Sequence, residues 1–436
     1  MTKIKTSLKT KSRIIEVDNP SVFDWVILYN LIKKQINLTL SEYVIKINLI
    51  KTTKSKLYFN LISLENFEGF LKEPFMPEND LAFEPNSNSI SCLIIPTGIG
   101  ASFGGYAGDA NPIAKLIASS SKYFIANPNV VNGAVLTDVP SNLIYLEGFL
   151  LEQFLLGKIN LMPTSQNNIG VIFDKGISDE RLDYELNVLN AAKAFYGCNV
   201  MAWTQTDVPI LISPSVNNLG FSTGSIKNIE AIIDKAFKLK HAGATAIAIC
   251  CAVPDISLNA SYQFGKGVDP IGGVESIISH SVSAAVGLVS AHAPILISDE
   301  EVDYKNVSPA SASEYIAQTF LPSVISGLRF SPRIVETNYK PASLSVNDLF
   351  NIIVPYNAFG SAGVLFLNKT SNNLVSLVAE NKTCLEVNPN HIAMNFNVSK
   401  SYKDLIDIDK ATELGIDPSV LERPLKAVPR LNNLSN

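Results

Sequence analysis

Hydrophobic positions follow two regimes along this chain. Up to Leu71 they form short amphipathic pieces of mixed type, helix-like over Val22 to Lys34 and strand-like over Tyr43 to Ile50 and Lys56 to Leu64. The Pro-, Glu- and Asn-rich residues 72–89 then read as a linker. From Ile90 onward, apolar runs rich in Ile and Val alternate with stretches of helical period. The runs predict strands at Ser91 to Ile95, Lys122 to Ala126, Asn168 to Asp174, Asn199 to Thr204, Ala244 to Cys251 and Leu349 to Pro355. They are apolar on both faces, so the sheet they form must be covered on both sides. The expectation is an α/β protein with a mixed or mostly parallel sheet covered by helices. Residues 14–71 form a small N-terminal α+β domain ahead of it, and residues 90–436 form the core.

Two helices stand out. In Ile226 to His241, Ile226, Ile229, Ile232, Ile233, Ala236 and Phe237 make one apolar stripe, Ser225 is placed to cap the start, and Gly243 is placed to end it. Lys238, Lys240 and His241 at its end complement the helix dipole, which explains His241 without a functional role. In the second helix, Val274, Ile277, Ile278, Val282 and Ala285 face inward and leave Glu275, Ser276, Ser279 and Ser283 on a polar face, with His280 at the margin.

The chain has 436 residues and a net charge of -5, which removes any general electrostatic reason to bind nucleic acid or an anionic membrane. Mean hydropathy is +0.19, yet the longest apolar stretches, such as Ala244 to Val253, run to about ten residues, half the roughly 20 needed to cross a bilayer. Five scattered cysteines without a CxxC pair argue against a disulfide framework or structural zinc and fit a reducing, cytoplasmic setting. Residues 1–13 carry Lys3, Lys5, Lys9, Lys11 and Arg13 with no acid, and read as a flexible basic N-terminus.

Candidate chemistry gathers at two glycine loops. In Cys92 to Asp109 a strand runs into Gly98, Gly100, Gly104, Gly105 and Gly108, and a helix follows with Pro112 in its first turn. Glycines there allow close backbone approach, and a helix start offers unpaired amides to an anion. No Walker lysine follows and the fit to GxGxxG is imperfect, so no nucleotide is implied. The second loop, Gly265 to His280, lies beyond the strand ending near Cys251, where open α/β sheets collect ligands. Asp255, Lys266, Asp269 and Glu275 fall on that edge. His292, in Ser-Ala-His-Ala-Pro at the end of a strand, is the imidazole best placed for general base work, with Asp109, Asp269 and Glu275 as partners. No HxxxH or HxH pair fixes a metal locally, and no nucleophile elbow is present.

These segments carry a resemblance. Pro96-Thr-Gly-Ile-Gly, Gly104-Gly-Tyr-Ala-Gly-Asp109, Pro128-Asn-Val, Asn132-Gly-Ala134, Gly267-Val-Asp-Pro270, Ile277-Ile-Ser-His280 and Ala291-His-Ala-Pro294 resemble, in order, segments of domain-of-unknown-function family 3326, found in cyanobacteria and plastids. The resemblance covers about Ile90 to Phe366 and implies a soluble protein, but no reaction. Where the family pattern carries His, Arg and Cys, this chain has Asn127, Ala252 and the neighbourhood of Phe359, which with the N-terminal extension makes it a divergent member.

The sequence thus predicts an enzyme for a small anionic metabolite, with Asp109, Glu275 and His292 moving protons. Thr97, Gly98, Gly100, Gly104, Gly105, Asn129, Asn132 and Asp269 would hold the ligand. A non-catalytic binding or regulatory protein of the same fold is the alternative. No cofactor can be named, no metal is assigned, and a homo-oligomer is compatible with everything above.

Overall fold

The computed structural model describes residues 8–36, 38, 41–78, 90–254, 260–297, 307–339, 342–371, 374–407 and 409–430. Asp255, residues 1–7 and most of the expected linker, residues 79–89, lie outside the described residues.

The chain opens with β1 (Lys9–Asp18), α1 (Trp25–Gln35), β2 (Glu42–Thr52) and β3 (Lys56–Glu65), the strands forming an antiparallel sheet in the order β1-β3-β2. Residues 9–13, expected as a frayed basic end, are instead the first half of β1. Their charges are neutralised across the sheet, with Lys11 and Arg13 on the nearly buried carboxylate of Glu42 at 3.2 and 2.7 Å. That pairing, with Arg13 held by both nitrogens, is why a basic segment is ordered here.

The large sheet begins with β4 (Ile90–Leu93), α2 (Asn111–Ser119), β5 (Tyr123–Ala126), α3 (Pro128–Val131), β6 (Leu143–Tyr145) and α4 (Gly148–Leu155). A short strand, β7 (Asn160–Met162), leaves it. The chain then builds a second unit from β8 (Asn168–Phe173), α5 (Asp179–Tyr196), β9 (Asn199–Gln205), the hairpin β10 (Leu211–Val216) and β11 (Ser222–Lys227), and α6 (Ile229–His241). It continues through β12 (Ala246–Cys250), β13 (Ala252–Pro254), α7 (Ala260–Gln263), α8 (Gly272–Val286), β14 (Val289–His292) and β15 (Ile295–Ile297). After α9 (Ala312–Tyr315), α10 (Leu321–Leu328) and β16 (Arg333–Val335), which pairs with β7, the chain returns to the large sheet. There it adds β17 (Leu349–Pro355), α11 (Ala362–Thr370), β18 (Val375–Val378) and β19 (Asn397–Ser399).

Both main sheets are parallel throughout. The larger runs β19-β18-β17-β4-β5-β6 and the smaller β14-β12-β8-β9. Every residue of β12 is buried, as a strand covered on both faces requires. In the large sheet β4 and β17 are neighbours from which the strand order runs outward both ways, so the loops leaving their carboxyl ends part at a topological switch point.

Two expectations are corrected. The helix expected from Ile226 begins at Ile229, with Asn228 rather than Ser225 at its cap position. Ser225 and Ile226 belong to β11, paired to Ser213 and Ile212, and the burial of Ile226 in that hairpin mimics one more turn of the helical stripe. The N-terminal segment forms its own sheet as expected, but its apolar residues join one continuous core with those after Ile90. Leu49 N donates to Gly360 O, Thr52 N to Glu386 O, and Trp25 Nε1 to Phe75 O, and Pro74 and Phe75, within the expected linker, are buried.

Candidate functional site

A cavity of about 840 Å³ lies beyond the carboxyl ends of both parallel sheets, within the range of small-molecule sites, which is roughly 300–1,000 Å³. Its wall takes Thr97 and Gly105 from the loop after β4, Asn129 and Asn132 from the turn after β5, and Glu147 and Glu152 from the start of α4. Asp269, Glu275 and His280 come from α8 and its approach, His292 from the end of β14, Glu314 from α9, and Lys46 from β2.

Glu275 and His292 meet here. The Nδ1 of His292 is 3.2 Å from Glu275 Oε1, and its Nε2 is buried without a hydrogen-bond partner. The helical register explains the first partner: Glu275 sits in the first turn of α8, on the face that also carries Ser276, Ser279 and His280 to the cavity. His280 Nδ1 contacts Glu147 Oε1, giving a second Glu–His pair on the same wall. Glu147 also caps α4, accepting from the amides of Phe149 and Leu150.

The remaining acids are held in an unusual state. Burial, reinforced by the charges of Glu275 and Glu314, pushes the Asp269 carboxyl well above its ordinary range, although the amides of Ile271 and Gly272 oppose this. Glu314 is likewise pushed up by burial, against hydrogen bonds from the Tyr262 hydroxyl at 2.7 Å and the Ala107 amide at 2.6 Å. Burial raises Glu152 to about 7 despite the amide of Gly363 donating to it at 2.8 Å. Burial thus pushes these wall carboxyls toward their neutral, proton-donating form, beside a Glu–His pair whose Nε2 has no partner within the protein.

Asp109 is not part of it. It does not line the cavity; its carboxylate accepts from the amides of Gly104 and Tyr106 at 2.7 and 3.4 Å and from Arg423 Nη2 at 3.0 Å, so it orders its own loop. Nor does it cap α2, whose cap position is Ala110 with no side-chain bond. Burial raises Asp109 to about 6, with Arg423 opposing.

The glycine loop differs from expectation for the same reason. Gly98, Gly100 and Gly104 lie off the cavity wall. Gly100, at φ +60°, has no room for a Cβ, which would lie 2.7 Å from the carbonyl oxygen of Gly267, so the two glycine loops pack on each other. At Gly105, which does line the cavity, a Cβ would lie 2.2 Å from the Ala101 carbonyl oxygen. The amides of Gly104, Tyr106 and Ala107 are already bonded to Asp109 and Glu314, leaving these three with no proton to offer an anion. Asn129 donates to the carbonyls of Ile95 and Gly104, and Asn132 accepts from the Tyr145 hydroxyl. Lys266 is exposed and off the wall.

Lys46, Glu147, Glu152, Arg181 and Glu314 were not singled out from the sequence. Glu147 carried a signal, since its carboxylate precedes an apolar helical run at a cap position. Lys46 carried none, because one lysine in an alternating strand reads as a solvent-facing residue. Among the described residues no group of three or more His, Cys, Asp or Glu is arranged to hold a metal ion.

The family whose sequence model matches, over residues 90–422, is described as a protein of unknown function, DUF3326. An uncharacterised lipoprotein of a Synechococcus strain is 34% identical over 353 residues, covering 79% of this chain and 96% of that protein. No solved structure matches. Among the described residues, no helix is long and apolar enough to cross a membrane.

Proposed function

The chain belongs to the DUF3326 family, which brings no reaction with it, and we propose from the cavity's own chemistry that it is an enzyme moving a proton on a small polar molecule. The observation that carries this is the Glu275–His292 pair. A carboxylate can only accept, so it holds the imidazole proton on Nδ1 and leaves the Nε2 lone pair as the base. Asp269 and Glu314, which burial pushes toward their neutral form, are the acids that would answer it. An anionic group on the ligand falls to Arg181 on the cavity wall, which also pairs with Glu185, and not to the occupied loop amides.

Thiol chemistry is a poor competitor, because burial pushes the Cys92, Cys250 and Cys251 thiols upward and disfavours the thiolate. All five cysteines are unpaired, which supports residence in the cytoplasm, while the relative's printed name calls that protein a lipoprotein. A non-catalytic binding protein of the same fold is the second reading, favoured by the Asp109 and Glu314 carboxylates, which order the loops of the cavity by accepting from their amides.

The test is to incubate the purified protein with a complex metabolite extract and follow every compound by mass spectrometry, beside His292→Gln. A compound consumed by the first and untouched by the second supports the enzyme. A compound retained by both, with nothing consumed, favours the binding protein.

A further inference from the structure

β2 carries one extra residue, Ile45, between Val44, which faces Ser63 across the sheet, and Lys46, which faces Ile62. A bulge of this kind bends the strand and re-aims the side chains that follow. Here it delivers Lys46 to the cavity wall, where Nζ donates to Ser276 Oγ at 3.2 Å. Ser276 adjoins Glu275 on α8, and the amine lines the same cavity as the Glu275–His292 pair. Surface lysines such as Lys51 and Lys56 end on carboxylates, whereas this amine ends on a hydroxyl. The nearest opposing charge, Glu147, is shared with His280. Desolvation draws the Lys46 ammonium down to about 8, against the attraction of Glu147.

We infer that Lys46 is a nucleophilic amine and that the ligand of the cavity is a carbonyl compound, captured as a Schiff base. The inference rests on reading the cavity as an active site. The Nζ lone pair forms a bond to the carbonyl carbon while the carbonyl oxygen takes a proton. The nitrogen releases a proton, the carbon–oxygen bond of the carbinolamine breaks, and the oxygen, protonated again, departs as water to leave an iminium. No electrons are gained or lost. The iminium withdraws electrons from the neighbouring carbon, whose C–H is the kind of proton that the Nε2 of His292 would accept. Lys46 precedes the residues matched by the family, so this chemistry depends on the N-terminal sheet.

The experiment is reductive trapping on the full chain. Glyoxylate, pyruvate and glycolaldehyde are each added with cyanoborohydride, and peptides are mapped by mass spectrometry. The expected result is an adduct at Lys46 in excess of that at Lys51 by at least about tenfold, given the larger free-amine fraction of a lysine with a lowered pKa. The adduct should vanish from folded Lys46→Arg and Lys46→Met. If none of the three marks Lys46 above Lys51, the nucleophile is overturned, and a His292-dependent consumption of metabolites would still stand. If Lys46 is marked while no metabolite is consumed, the amine assignment holds and the proton-transfer reading falls.

Discussion

Arg423 reaches across from the C-terminal segment to Asp109, and its Nη2 lies 3.0 Å from both the carboxylate and the carbonyl oxygen of that residue. The guanidinium also lies over the Phe103 ring at 3.9 Å. The glycine loop is thus clamped from outside the cavity, by a residue more than 300 positions away.

Arg423→Ala leaves the buried Asp109 carboxylate without its cation, which should cost about 3 kcal/mol in urea denaturation at pH 8. At pH 5, below the value of about 6 to which Asp109 is raised, the carboxyl is already neutral. The penalty there should shrink to the lost stacking and hydrogen bonds. Equal penalties at both pH values would show that the charge pair contributes nothing.

Glu152→Gln should stabilise the protein at pH 8 and not at pH 4. Glu152 has a folded value of about 7 against an ordinary value near 4.5, so its contribution is full below pH 4.5 and is lost as pH rises through 7. The glutamine keeps an acceptor for Gly363 N and carries no charge to bury. Thermal melts across this window measure it, with roughly 1–2 °C expected per kcal/mol for a chain of this length. A variant melting at or below the parent at pH 8 would contradict the assignment.

Gly105→Val should fail to fold or lose several kcal/mol, because the new Cβ would meet the Ala101 carbonyl. Gly243→Val, at a position with nothing within 4 Å of a Cβ but with φ +102°, separates backbone strain from crowding. A folded, stable Gly105→Val with altered ligand binding would restore the view of this glycine as a ligand contact.

Glu275→Gln replaces the acceptor-only carboxylate that fixes the His292 proton on Nδ1 with a neutral amide that can donate as well as accept, so neither tautomer is enforced. Turnover of the metabolite found above should fall by about 100-fold or more, with a smaller change in binding by calorimetry. Parallel losses of turnover and affinity would assign Glu275 to binding alone.

Deleting residues 1–78 should give an insoluble product. It would expose the core that Leu49, Phe59 and Trp25 share with the rest of the chain and remove Lys46 from the cavity wall. A folded, monodisperse product would show that the N-terminal sheet is dispensable.

Strands β4, β5, β8, β12 and β17 were legible because burial on both faces writes itself as Ile- and Val-rich runs, and Leu349–Pro355 is reproduced to the residue, whereas β6, β18 and β19, three or four residues long, offered no run to read. Glu275 and His292 were legible as a pair through position, since one opens a helix and the other closes a strand at the same edge. What pattern could not convey was direction. Asp109 sits beside glycines like a ligand group, yet Arg423, distant in sequence, draws it away. Lys46 is turned inward by a bulge that no alternation of polar and apolar residues announces. Gly100 is tight backbone approached by the other glycine loop, whereas Gly105 packs on Ala101 of its own loop and still lines the cavity.

The strand order of the large sheet has a consequence for biosynthesis. Its central strand β4 pairs on one side with β5, made soon after, and on the other with β17, about 250 residues later, the whole smaller unit being translated in between. At roughly 5–20 residues per second, that edge of β4 waits at least about 12 s for its partner. During that interval the ribosome-bound chain presents an apolar parallel edge, so a nascent polypeptide stalled before Leu349 is the form most in need of a chaperone.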